Sequence, residues 1–313
     1  MSDEGRGTPA RLGIVALNLF LPGLGLQRLR QSRAVVFLLL MPALLAITLA
    51  YYALAPRLGF VGYAVSALLL VLVYVAAIVA AMAMSWRGSR ARAAQPPWWS
   101  RWYALIGAYL AVSLASYGLV ALLHGYYKPF YIPSEAMAPT FVPYDRLVAS
   151  MDGPGELRRG DVILFAVGAS MYIKRVAGLP GDRIELIDGM VVLNGRPVPV
   201  RHVGTETVAF TPYPDPYGNI ARRLSERFPG EAAPHEIYDF GSSPFDDFPQ
   251  TTVPEGHVFV LGDNRDHSAD SRVPRAETGV EMLPIADIRG HALFYTWGPS
   301  GKMGAPVSGT GPR

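Results

Sequence analysis

The chain has 313 residues, half of them hydrophobic, only 17% charged and none of them cysteine. The positive mean hydropathy is too apolar for an ordinary soluble domain and points to the membrane. The net charge of +3 is small and its arginines sit in short clusters, so no nucleic-acid signal is read. Without cysteine, disulfides, thiolate catalysis and a Cys-based zinc site are excluded.

Taken in chain order, the apolar residues concentrate before about Leu123. The first run, residues 12–26, is short and is broken by "LPGLG", which suggests a short span or a re-entrant hairpin. Residues 35–55 and 60–84 follow with almost no charge, each long enough at ~1.5 Å per residue to cross a ~30 Å hydrocarbon core. Residues 103–123 are a third candidate of similar length. A cleavable signal peptide is not expected, because further spans follow and no small-residue cleavage site is evident. Arg28, Arg30 and Arg33 precede the second run, and Arg87, Arg90, Arg92 and Arg101 precede the last, whereas the turn "APRLG" carries only Arg57. Positive-inside logic then predicts a multi-pass protein of the inner (cell) membrane, with everything after His124 on the outer, periplasmic side. Trp98, Trp99, Trp102 and Tyr103 suit the inner interface, and Tyr126, Tyr127, Phe130 and Tyr131 the outer one. Residues 1–127 are thus expected to be a membrane region with three or four apolar segments.

From Lys128 the character changes. Short β-branched runs ("RLVAS", "DVILFAV", "MYIKRVAG", "RIELI", "MVVL", "HVFVLG", "ALFYTW") alternate with turn signals, including Asp188-Gly189 and Asn194-Gly195. This predicts a mainly-β, antiparallel, barrel-like domain over 128–297. Residues 201–252, rich in Pro, Gly and Asp, read as an insertion or small lobe with a short helix at 219–227. The Gly/Pro/Ser tail 298–313 is expected to be disordered.

Three patches could carry chemistry: "YIPSEAMAPTF" from Tyr131, "RRGDVILFAVGASMYIKRVAGLPGD" from Arg158, and "VPEGHVFVLGDNRDHSADSR" from Val253. Singly, each has a bland explanation: a turn serine, a solvated Lys-Arg pair, and a loop folded by its own Asp, Asn and Ser side chains. The last lacks the central glycine and spacing of a calcium loop.

Together, "IPSEAMAPT", "YIKRVAGLPGD" and "GDNRDHSADSR" resemble the three ordered motifs of the type I signal peptidases, membrane-bound Ser/Lys proteases that remove signal peptides. The resemblance covers about half the chain, from Lys128 to Trp297. It implies a β-rich catalytic domain on the outer membrane face, without metal or cofactor. Its partners would be the bilayer and the signal peptides of exported precursors, and no nucleic acid; a monomer is expected. Lys174 matches the general base, and Ser268 the serine that orients it by hydrogen bonding. Asp270 and Arg272 match a supporting ion pair, with Asp263 and Arg175 also in matched positions. Ser134 matches the serine whose hydroxyl joins a backbone N–H in the oxyanion hole. The nucleophile position holds Ala136, and His267 stands where the family commonly has Asn.

The chemistry explains the residue types. A serine hydroxyl is a poor nucleophile until a base takes its proton. A lysine can do so only when neutral, which burial among apolar side chains favours. In a strand, Tyr172, Lys174 and Val176 share one face, so Lys174 is a plausible desolvated base, and Ser-Lys pairs are a variant of triad logic. Alanine cannot attack. Either Ser134, two residues away, is the nucleophile through a shift of the loop, or the protein is a silent relative that binds signal peptides without cutting them. A Ser134/His267/Asp270 triad is disfavoured because His267 and Ser268 are adjacent and would point apart. A membrane-anchored binding or scaffolding protein needs the same cleft but no base. Ile132, Met137 and Phe141 are expected to line a shallow groove that takes the substrate as an added strand.

Overall fold

The computed structural model describes residues 8–31, 33–88, 98–124, 126–168, 170–208 and 220–307. The chain divides into two compact units, Met1–Gly125 and Tyr126–Arg313.

The first unit is helical: α1 (Thr8–Phe20), α2 (Leu24–Arg28), α3 (Ala34–Gly88) and α4 (Trp102–His124). The "LPGLG" break separates α1 from α2. There the buried Asn18 accepts the backbone N–H groups of Gly23 and Gly25 at 3.0 and 3.2 Å, and its amide donates to Ser85 at 3.0 Å. The expected turn at "APRLG" is not made, because α3 runs as one 55-residue helix through both apolar runs. Leu- and Ala-rich sequence on both sides outweighs the ~3 kcal/mol that an internal proline costs a helix. The positive-inside reading needed a chain reversal there, so the two-pass arrangement of 35–84 loses its support. Among the described residues, Ala67–Gly88 is the helix long and apolar enough to cross a bilayer; Pro9–Phe20 and Trp102–Ala115 are shorter apolar stretches.

The second unit is mainly β and antiparallel. Its strands are β1 (Tyr127–Tyr131), β2 (Arg146–Ser150), β3 (Val162–Val167), β4 (Ser170–Gly178), β5 (Arg183–Ile187), β6 (Met190–Leu193), β7 (Arg196–Pro197), β8 (Val200–Thr207), β9 (Ile220–Glu226), β10 (His235–Asp239), β11 (Phe248–Thr252), β12 (His257–Leu261), β13 (Leu283–Pro284) and β14 (Ile288–Trp297). They form a seven-stranded sheet in the order β1-β2-β14-β3-β4-β12-β13, a four-stranded sheet β11-β5-β6-β7 and a three-stranded sheet β10-β9-β8. The large sheet does not close into a barrel, since β1 and β13 remain its two edges. The hairpin signals hold: Asp188-Gly189 joins β5 to β6 and Asn194-Gly195 joins β6 to β7, with positive φ at all four residues.

The core explains why "VILF" is continuously apolar. Val162 and Leu164 on one face of β3 enter a cluster with Met137, Phe141, Leu147 and Tyr295. Ile163 and Phe165, on the other face, enter a second with Val176, Val258, Val260 and Ile288. A strand buried on both faces reads as a run rather than an alternation. The four-stranded sheet packs Ile184, Leu186 and Val191 with Phe228, Phe259 and Leu261.

Two further expectations are corrected. Residues 219–227 contain strand β9, not a helix; it is paired on both sides, by β8 and by β10, and sheet pairing overrides a weak local preference. The part of the tail that is described, 298–307, packs on the domain: Val307 is buried, Pro306 bridges Phe294, and the Lys302 amine donates to the carbonyls of Pro139 and Thr140 at 2.5 and 3.0 Å. Residues 308–313 lie outside the described residues.

Candidate active site

Lys174 lies on β4 directly opposite Ile163 of β3, with Tyr172 and Val176 on the same strand face. It is 4% exposed, and burial pushes its amine down from an ordinary 10.5 to about 8, against the pull of Asp270 and Asp263. Among the described residues none accepts a hydrogen bond from its Nζ, and burial leaves the amine desolvated.

Arg175, the next residue, leaves the opposite face. It forms a bidentate pair with Asp263 at 2.8 and 2.7 Å, and also donates to the Gly160 carbonyl at 2.7 Å and to Thr140 Oγ1 at 3.2 Å. Burial alone would raise Asp263, but the Arg175 guanidinium outweighs it and holds the carboxyl below its usual range. Asp270 and Arg272 form a second bidentate pair at 2.9 and 2.8 Å, which lowers Asp270 against its burial in the same way. Asp270 also accepts the Gly262 N–H at 3.0 Å, while Arg272 ties down the carbonyls of Phe245 and Arg265.

Gly262 is where the first and third motifs meet. A Cβ there would lie 2.1 Å from Ser268 Oγ and 2.5 Å from the Ala136 carbonyl oxygen, so only glycine lets the two approach. The same Ala136 oxygen accepts the Asn264 N–H at 3.2 Å. Ala136 therefore sits against Ser268, which lies in the segment that also carries Asp270, the carboxylate that most opposes the lowering of Lys174. Ser134 is exposed, and among the described residues it makes no hydrogen bond to Lys174 or Ser268. The bond expected between Ser268 and Lys174 is not made either: Ser268 Oγ is buried without a partner. Ile132, Met137 and Phe141, expected in a groove, are 4%, 1% and 0% exposed and belong to the core. Their packing anchors the loop to the core.

Sequence reasoning missed four groups. Glu226, Glu231 and His235 are buried in the inserted segment, far in sequence from any motif. Asn264 was read only as a motif letter, yet its side-chain amide is buried with neither atom satisfied. A buried orphan of this kind costs ~1–3 kcal/mol and demands an explanation. Among the described residues no cluster of His, Asp and Glu could hold a metal ion.

A buried lysine held well below its ordinary value, two salt-bridged loops and an unpartnered serine hydroxyl beside Gly262 are the kinds of group a serine/lysine hydrolase would use. The family model described as signal peptidase, peptidase S26, matches residues 99–297. The chain belongs to that family. It is similar to signal peptidase I of Rickettsia prowazekii (31% identity over 178 residues, 47% of this chain and 64% of the relative) and of Pseudomonas aeruginosa (31% over 202 residues, 56% and 67%). It is also similar to signal peptidase I T of Bacillus subtilis (30% over 160 residues, 49% and 69%). The chain thus spans about two thirds of the length of these curated relatives. A crystal structure of a signal peptidase I from Enterococcus faecalis aligns with 44% of this chain and 96% of its own, at 22% identity and a TM-score of 0.24.

Proposed function

We propose that this domain recognises exported precursor proteins at the outer face of the inner membrane, anchored there through its apolar helices. In this reading it serves cleavage of signal peptides after small residues, with Lys174 as general base and Ser268 as the group that orients it. The observation that carries the reading is the buried, desolvated Lys174 amine. A lysine poised near pH 8 is an adequate base for a hydroxyl, whereas an ordinary surface lysine is not.

The hydroxyl to be activated belongs at position 136. Ala136 lies beside Gly262 and Ser268, whereas Ser134, two residues earlier, is exposed, as befits a group that meets the substrate's carbonyl oxygen. In this reading the chain as it stands is a signal-peptide-binding site that lacks the nucleophile for a covalent step. Loss of a serine nucleophile costs up to about 10⁶ in rate, and the remaining stabilisation comes from the oxyanion hole and binding.

The test is cleavage of a precursor by purified protein beside three variants. Ala136→Ser should raise the rate by roughly 10³ or more, and adding Lys174→Ala should remove that gain while leaving signal-peptide binding in place. If the unchanged chain already cleaves at full rate and Ser134→Ala abolishes it, Ser134 is the nucleophile and the assignment of position 136 is wrong. If no variant cleaves, binding is the whole of the function.

A further inference from the structure

The inserted three-stranded sheet delivers three ionisable side chains into the interior. Glu226 closes β9, Glu231 lies in the following turn, and His235 opens β10. His235 sits between the two carboxylates, with Nδ1 2.8 Å from Glu231 Oε1 and Nε2 3.1 Å from Glu226 Oε2; its ring stacks on Phe228 at 5.3 Å. Both carboxylates also accept hydrogen bonds from other groups. The second oxygen of Glu231 takes the Phe228 N–H at 2.8 Å, and Glu226 receives two guanidinium nitrogens of Arg265. A neutral imidazole has one N–H and one lone pair, so it can serve only one of two such acceptors; an imidazolium serves both.

The contacts extend in both directions. Asp263, Arg175, Glu231, His235, Glu226 and Arg265 form a continuous line of ion pairs in which charge alternates, and no side chain in it is more than 4% exposed. With His235 charged, three cations face three carboxylates. With it neutral, one buried carboxylate is uncompensated, a situation that costs several kcal/mol. Both ends of the line lie in the candidate site: Arg175 follows Lys174 on β4, and Asp263 and Arg265 flank Asn264, whose N–H holds the Ala136 carbonyl. Gly160 leaves the space for this line. A Cβ there would stand 2.5 Å from Glu231 Cγ, and the Gly160 carbonyl accepts Arg175.

We propose that His235 is an imidazolium at neutral pH and a positioning residue, locking the β8–β10 sheet onto the strand of Lys174 and the 262–266 turn. The inference rests on the proposed function only in calling Lys174 the base. The groups facing the imidazole are Glu226 and Glu231 from its own sheet, Arg175 from β4, and Asp263 from the turn after β12. On its open side a cavity of about 270 Å³ is lined also by Thr140, Glu236, Tyr295 and Lys302. Burial and Arg175 push His235 down, but the two glutamates reverse this and raise it above its ordinary 6.5. Glu226 does not hold the proton, because Arg265 overcomes its burial and brings it down to about 2. The contribution of His235 to stability is therefore complete below pH 6.5 and is lost as pH rises through the folded value.

Three measurements on the full chain in detergent test this without any proteolysis. In ¹⁵N-histidine-labelled protein, the His235 signals, identified by their contacts with the Phe228 ring, should show both ring nitrogens protonated at pH 7. A single-proton tautomer at that pH overturns the proposal. The stability difference between the protein and His235→Gln should be large at pH 6 and smaller at pH 9, whereas a constant difference means mere packing. Lys174, followed by ¹⁵N-lysine signals, should titrate at higher pH in His235→Gln as its strand loosens and water reaches the amine. An unchanged midpoint removes the positioning role. Should His235→Gln not fold, Glu231→Gln replaces it in the last two measurements. None of these results depends on cleavage, so failure of the protease reading leaves them interpretable.

Discussion

Lys174 carries the functional reading at the scale of a single residue, and its desolvation sets two opposite expectations. Its folded value is depressed to about 8 from 10.5, so between these limits the unfolded chain holds a proton that the folded chain lacks, and stability rises with pH through that window. Below pH 8 the native state carries a buried ammonium at a cost. Lys174→Met should therefore stabilise the protein by about 1–3 kcal/mol at pH 6–7, with the gain fading towards pH 10.5, in denaturant titrations across that range. The same change should abolish cleavage in the Ala136→Ser background, where the rate should otherwise climb with a midpoint near pH 8. Ser268→Ala separates the roles further. The hydroxyl is buried without a partner, so its removal should leave stability unchanged or slightly improved, yet lower the same rate by about 10²-fold as the base loses its guide. The burial of Lys174 was legible in the sequence through strand parity. The unpartnered hydroxyl of Ser268 was not, because it depends on how the loop places its side chain.

Elements were legible where local chemistry decides them. Two-residue turns such as Asp188-Gly189 specify a hairpin by backbone preference alone, and "VILF" specifies a strand buried on both faces. Where tertiary pairing decides, the signal failed. β9 contains "ARRLSE", a passable helix, and becomes the centre of a three-stranded sheet only because β8 and β10 lie on either side. Glu226 and His235 could not be singled out for the same reason: their partners lie on other elements. In the described part of the tail, 298–307, composition misled, since one lysine among glycines and prolines anchors it. Lys302 meets the carbonyls of Pro139 and Thr140, in the loop that carries Ala136. Lys302→Met should leave the Pro139 carbonyl short of a donor, while Thr140 keeps the Tyr295 hydroxyl, and cost about 1–3 kcal/mol. Hydrogen exchange should rise in residues 298–307 and in the 134–140 loop together; a rise confined to the tail would show that the clamp does not hold the loop.

At the scale of the whole molecule, hydropathy located the apolar segments but not their connections. Proline and glycine in "APRLG" suggested a reversal, and the continuous α3 shows that punctuation within strongly helical sequence is only a bias. The β unit, by contrast, carries its own cores, and the groups placed around Lys174 come from within it: Ile163 opposite it, Tyr172 and Val176 on its strand face, and the charges of Asp270, Asp263 and Arg272. Residues 126–313 produced alone should therefore fold with one cooperative unfolding transition. Lys174 should still titrate near 8 in that fragment, because its desolvation is supplied by β3 and β4 rather than by lipid. If instead the fragment folds but its Lys174 moves towards 10.5, the water-free surroundings of the base come from outside the β unit. The bilayer would then be part of the catalytic apparatus rather than only the place where the substrate is found.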